Sequence, residues 1–547
     1  MTSFDAMRRN FLRTGSLGMA AVAIPSVSYG AALSSHEATA ENLKSQGIFD
    51  VRRYGGMGDG KTLDTRAIQT AIDAAALAGG GVVVFSAGNY LSFSLRLKSF
   101  VHLHLMQGAT IIAADSPLPG DATGYNGGVY DAAEPNTAWN AYQDYGHNHW
   151  HNSLIWGEEI HDVSITGPGM IWGRGLSNGR GRKGDGAPFI AEQPGVGNKA
   201  IALKSCYNVL FRDFSILKAG HFGLLLTGVD NLTIDNLKID TDRDGMDIDC
   251  CQNVRVSNCT VNSPWDDGIC PKSSFALGYA RPTRNLTISD CFVTGCYQMG
   301  TVLDGTFRKF AEDDHVPRTG RIKCGTESNG GFINITISNC VFEGCQGYAL
   351  ESVDGALLED VTITNTTMRD LVTGPIFLRL GSRLRGPEGV TQVGTLRRIM
   401  ISNLCCYNAP AKFGSILTGI PNSSIEDVRL SDIYVETAGG ISSIGPDLPE
   451  QEDQYPDPNR FGVTPSYGFY LRHVRNLEMS HVELSHRLPD ARPAFQLSGV
   501  DRADFFAITA PRGGDGVFAL NNVTDLRIGW SRAAPDVTLA SVSGKTL

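Results

Sequence analysis

One short phrase, returning along most of the chain, constrains the fold more than any other feature of this sequence. It opens with Asn or Asp, continues with alternating apolar and polar residues, and begins at Asp162, Asn208, Asn231, Asn253, Asn285, Asn334, Asp360, Asp427 and Asn476. Each copy has the period-2 pattern and β-branched content of a strand, bounded by Asn, Asp or Gly turn chemistry. The closest copies stand about 22 residues apart, within the repeat lengths of parallel β-helices. A unit this short cannot bury its own apolar face, so successive coils must stack and share one core. A β-sandwich would give hairpin turns instead of one strand phrase repeated with a whole coil between copies. The expected fold is therefore all-β, a right-handed single-stranded parallel β-helix. The longer gap from Asn285 to Asn334 is read as an insertion walling a groove.

The chain reads as one domain behind an address segment. Arg8 and Arg9, followed by Phe11-Leu12 and a small-residue run, resemble a twin-arginine signal over 1–32. A linker over 33–46 and a single β-helix over 47–547 follow, with the entrance cap and first coils in 47–100 and the last coils and end cap in 486–547. At the entrance, Thr65 to Ala75 has helical spacing behind Asp64, read as a capping aspartate. Such a helix would cover the open end of the solenoid. A periplasmic or secreted, monomeric protein is expected.

Of 547 residues 42% are hydrophobic and 19% charged, and no run of about 20 apolar residues lies in the mature region, which argues against a membrane span. The formal net charge of -10 argues against nucleic acid as a partner. None of the twelve cysteines has the spacing of a zinc ligand set. Cys259, Cys291 and Cys340 each close the same phrase, so they should stack as buried free thiols. No metal and no cofactor are expected.

The chemistry concentrates in Asp244-Gly245-Met246-Asp247 and Trp265-Asp266-Asp267-Gly268, one repeat apart. Strands one coil apart lie about 4.8 Å from each other, so side chains at equivalent positions converge without a special loop. Clustered carboxylates repel and raise one another's proton affinity, the condition a general acid needs. Glycoside hydrolysis requires one protonated carboxyl for the leaving oxygen and one ionised carboxyl for water or direct attack. An isolated Asp-Gly would be read as a turn. The pair, placed ahead of Arg321-Ile322-Lys323, is read as a site. Arg321 and Lys323 alternate along a strand and can both meet a uronate carboxylate. Arg379, Arg383 and Arg385 are read as surface charge at least as readily as substrate contacts. His147, His149, His151 and His221 are taken as hydrogen-bonded groove or loop residues. Trp265 is a candidate for stacking on sugar because it abuts Asp266.

From about Phe49 to Asn403 the chain resembles glycoside hydrolase family 28, the polygalacturonases. Residues 59–61 (Asp-Gly-Lys), Asp64-Thr65, the triple glycine at 79–81 and Leu103-His104-Leu105 are similar to the family's N-terminal signature. Asp244-Gly245-Met246-Asp247 matches its Asn-Thr-Asp-Gly-x-Asp segment, Asp266-Asp267 its Asp-Asp pair, and Arg321-Ile322-Lys323 its Arg-Ile-Lys. The resemblance implies an anionic pectic polysaccharide or oligosaccharide as substrate and an inverting reaction. In it Asp266 is the general acid, and Asp244 and Asp267 activate water. Asp247, Arg321 and Lys323 join the candidate substrate contacts. Two places depart from the family. Its Asn-Thr is Asp242-Arg243 here, and its Gly-His-Gly is replaced in Gly295-Cys296-Tyr297-Gln298-Met299-Gly300-Thr301, which makes Tyr297 and Gln298 candidates for the histidine's role. The rival readings are a β-helix lyase acting on uronates, whose product carries an ultraviolet-absorbing unsaturated end, and a non-catalytic glycan-binding β-helix.

Overall fold

The computed structural model describes residues 47–143, 146–178, 193–445, 447–512 and 516–547. The expected signal segment and linker lie outside the described residues. The described residues form a right-handed parallel β-helix, as the repeat predicts. Successive phrases pair in parallel and in register: Val209 stands beside Leu232, Leu232 beside Val254, Val254 beside Leu286, and Leu286 beside Ile335. These apolar positions are buried in one continuous core, while the alternating polar positions face outward.

The first residue of each phrase explains the repeat. Asp162, Asn208, Asn231, Asn253, Asn285 and Asn334 all have φ between 50° and 60°, the left-handed region that Asn and Asp tolerate best after glycine. Their side chains also form a ladder from coil to coil. Asn208 donates to Asp162 at 3.1 Å, Asn231 to Asn208 at 3.1 Å, and Asn285 to Asn253 at 2.9 Å. The phrase is thus a strand whose first residue makes the corner. The cysteines stack as predicted: Cys259, Cys291 and Cys340 are free and buried, and each thiol faces the carbonyl of the serine two residues earlier.

The helix Thr65–Leu77 closes the entrance and buries Ile68, Ala71, Ile72 and Ala75. Asp64 does not cap it. Its buried carboxylate instead accepts the backbone N–H groups of Met57 (2.7 Å) and Gly58 (2.9 Å), satisfying donors of the glycine-rich turn. At the other end the strand Val537–Val542 runs antiparallel to Phe518–Gly529 and ends the parallel ladder.

One sheet positions the site. The strands Leu95–Arg96, Ile155–Glu158, Lys199–Lys204, Phe222–Thr227, Asp244–Asp249 and Ile269–Lys272 stack in parallel, and a bridge from Ile269 to Ile322 carries the stack to Lys323–Cys324. Met246 and Ile248 point into the core. The outward column is itself covered at two places. Trp150 packs on Ala202, Phe222 and Leu225, and further along Leu448 and Phe461 pack on Ala349, Phe377 and Tyr470. The coils bearing Asp244, Asp266, Asp267 and Arg321 lie between these two covers.

Candidate active site

Glycine lets the aspartate-bearing coils approach each other. Gly245 N–H donates to Asp267 O and Met246 N–H to Gly268 O, each at 3.0 Å, and Gly268 N–H donates to Arg321 O at 2.8 Å. A Cβ on Gly245 would stand 2.5 Å from Gly268 O, so any side chain there would push the coils apart. The result brings together the three aspartates singled out by the sequence. One oxygen from each of Asp244, Asp266 and Asp267 lies within 4.8 Å of the other two.

Their surroundings differ. Asp267 is 1% exposed and sits between two cations, with Arg321 Nε at 2.9 Å and Lys323 Nζ at 2.6 Å. Burial works against its charge, but Lys323 and Arg321 outweigh it and hold this carboxyl below the usual range. Asp244 is 3% exposed and its Oδ1 has no hydrogen-bond partner among the described residues. Burial, then the charges of Asp266 and Asp247, push its proton affinity well up. Asp266 is half-buried, the most accessible of the three, and Arg243 Nη2 contacts its Oδ2 at 2.9 Å. Arg243 stands where the motif of the resembled family has an uncharged Thr.

The remaining candidates divide into neighbours of the aspartates and residues bound elsewhere. Arg321 and Lys323 are both 2% exposed and committed to Asp267. Asp247 is fully buried, contacted by His147 Nε2 at 3.1 Å and by Lys272 Nζ at 3.8 Å. Trp265 is half-buried with its ring against Phe310, centroids 5.6 Å apart. The Tyr297 hydroxyl donates to Glu343 at 2.7 Å and its ring packs on Phe307, while Gln298 is half-buried with its backbone N–H on Arg308 O.

Several functional neighbours were not legible as such. Lys272 bridges Asp247 to Glu327, the latter at 3.0 Å, and Arg385 reaches Glu327 at 2.8 Å. Arg383 pairs with Asp354, and buried Arg379 donates to the carbonyls of Glu450 (2.9 Å) and Gln451 (2.8 Å). The second arginine cluster is thus neither loose surface charge nor groove lining; it braces the coils beside the site. Glu351 is fully buried with both carboxylate oxygens unpartnered among the described residues, and burial raises its pKa to about 7. The loop histidines are hydrogen-bonded: His149 to Asn136 at 3.0 Å and His151 to Glu158 at 2.9 Å. Trp150, whose Nε1 donates to Thr227, is packing.

The chain is a parallel β-helix carrying an acidic cluster on the outer face of one sheet. Sequence profiles agree: "Right handed beta helix region" matches residues 199–384, and "Rhamnogalacturonase A/epimerase, pectate lyase-like" matches residues 48–126. A probable polygalacturonase from Vitis vinifera is 25% identical over 314 residues, covering 51% of this chain and 57% of that protein. The chain therefore spans little more than half of that relative. A mannuronan C5-epimerase from Azotobacter vinelandii is 33% identical over 135 residues, 22% of this chain and 14% of the epimerase. The solved family 28 exopolygalacturonase of Yersinia enterocolitica shares the fold, with a TM-score of 0.59 at 20% identity over 84% of this chain and 78% of that one. Over these stretches the chain is similar to the polygalacturonases of glycoside hydrolase family 28, but lacks the Gly-His-Gly motif.

Proposed function

We propose that the protein is a glycoside hydrolase that cleaves α-linked galacturonic acid or a related pectic glycan by single displacement. The observation carrying this reading is the split among three convergent carboxylates: one held ionised by two cations, one driven toward protonation, and one half-buried and more accessible than the others. Three carboxylates this close cannot all ionise freely: burial and its acidic neighbours drive Asp244 toward protonation, while Asp267 stays charged. Asp266, the most accessible of the three, gives a proton to the leaving glycosidic oxygen. Water attacks the anomeric carbon from the other side, Asp267 orients it, and Asp244, the stronger base, takes its proton. One C–O bond breaks and one forms, and the proton lost by Asp266 is regained on Asp244.

The carboxylate spacing is shorter than the roughly 6.5–9.5 Å usual for inversion and nearer the roughly 5–5.5 Å of retaining enzymes. The burial of Asp267 and its two ion pairs support water as the attacker, since a side chain so fixed is ill placed to reach an anomeric carbon. Tyr297 and Gln298, tied to other partners, are assigned no proton-transfer step. The acidic substrate must be met by cationic side chains, for which Arg243, shared with Asp266, is placed best, with Arg321 and Lys323 behind it.

The test is incubation of the mature protein with a panel of pectic oligosaccharides beside its Asp244→Asn, Asp266→Asn and Asp267→Asn variants. Release of saturated sugar by the wild type, with at least about 100-fold loss in each variant, is expected. Unsaturated products absorbing in the ultraviolet would mean a lyase. Glycan binding without turnover, surviving all three substitutions, would mean a binding protein.

A further inference from the structure

The missing family histidine leaves open what sets the charge of Asp244 next to Asp266. A histidine does stand beside this pair, but on the preceding coil. His221 is 5% exposed, its ring stacks on Phe222 with centroids 4.0 Å apart, and its Nε2 lies 4.0 Å from Asp244 Oδ2. Neither ring nitrogen has a hydrogen-bond partner among the described residues. Two unused donor or acceptor sites on a buried imidazole demand an explanation.

Lys199, fully buried, donates through Nζ to Asn152 Oδ1 at 2.9 Å and also to Asn198 Oδ1. An ammonium group only donates, so the Asn198 amide must turn its oxygen to Lys199 and its Nδ2 away. That Nδ2 is buried and unpartnered. It faces the same spot as the imidazole: a Cβ on Gly146 would stand 3.6 Å from Asn198 Nδ2 and 3.5 Å from His221 Nδ1. Asn198 Nδ2 and His221 Nδ1 form no hydrogen bond with each other, and Nε2 is the ring nitrogen that approaches the Asp244 carboxylate. The charged groups acting on His221 are Arg243, Lys199, Lys272 and, if charged, His147, whose ring centroid is 6.3 Å away. With burial they keep the ring neutral.

We propose that His221 is a positioning residue of the hydrolytic site, and that an Nε2–H turned toward Asp244 stabilises the ionised form of that carboxylate. At 4.0 Å the contact is too long for a hydrogen bond. It tightens in the substrate complex, as catalytic hydrogen bonds commonly do. The inference rests on the hydrolase reading for its kinetic consequence and on the approach of Nε2 to Asp244 for the tautomer.

Two measurements on the full mature chain test it. In nitrogen-15 histidine spectra, with the His221 signal assigned by its loss in His221→Gln, the ring should be neutral and protonated on Nε2 from pH 5 to 8. A proton on Nδ1, or a charged ring in that range, overturns the proposal. In kinetics, His221→Phe should move the acidic limb of the kcat profile, set by ionisation of Asp244, up by about one pH unit, a tenfold loss below that limb, with KM nearly unchanged. His221→Gln, which keeps a donor near Nε2, should restore both. Equal losses in the two variants with an unmoved profile would mean packing alone. If the wild-type chain cleaves no pectic glycoside, the hydrolase reading fails, and the nitrogen spectrum still decides the tautomer.

Discussion

Asp267 and Glu351 are both buried carboxylates beside Arg321 and Lys323, yet their ionisation diverges. Asp267 touches both cations and is held charged, whereas Glu351 has no hydrogen-bond partner among the described residues and titrates near 7. Direct contact decides the outcome, because burial penalises both charges alike. The folded state therefore binds more protons at Glu351 than the unfolded chain between about pH 4.5 and 7, so its contribution to stability falls as pH rises through that window. Glu351→Gln should remove this dependence, leaving the protein more stable than wild type at pH 8 and little changed at pH 4, measured by thermal melts. Lys199 runs the other way. Burial lowers its pKa to about 7, so the unfolded state binds more protons between about pH 7 and 10.5 and stability rises with pH there. Lys199→Met should flatten that rise. An unchanged slope in either variant would show that these groups are not buried as described.

The coil is the element, and its corner residue is the clearest link from sequence to structure. Asn253 combines a φ of 59° with a place in the amide ladder between Asn231 and Asn285. Asn253→Val should cost about 1–3 kcal/mol, since a β-branched residue tolerates that backbone poorly and the ladder is cut. Asn253→Gly should cost less, and a denaturant series comparing the two checks the order. Leu232→Ala in the shared core should cost about 2–5 kcal/mol. The phrase was legible because its two demands, an alternating strand and a left-handed corner, fall on neighbouring residues. Asp244, Asp266 and Asp267 were legible for the same reason, being separated by one repeat. The Lys272 to Glu327 pair was not, because the insertion after Asn285 breaks the count of coils between them. Counting strand register instead would have found it, since Asp249 pairs with Lys272 and the bridge from Ile269 to Ile322 marks the next coil. Asp64 was misassigned because local spacing cannot show that a turn's N–H groups compete for the same carboxylate.

At the scale of the whole molecule, the solenoid supplies what a cluster of acids needs: a rigid ladder bringing side chains from separate coils together, and buried cations to set their charges apart. Breaking one buried pair should therefore be felt as both stability and chemistry. Arg321→Met leaves Asp267 with Lys323 alone, and should cost about 3–5 kcal/mol as well as most of the turnover. The same architecture serves proteins with different chemistries, so the fold alone does not select among them. The central claim is that the three aspartates divide the work of a single displacement by water. Proton NMR of the first sugar released from an α-linked galacturonide tests it most directly. The account predicts a saturated product that appears first as the β-anomer, whereas an initial α-anomer, or an unsaturated end, would contradict it.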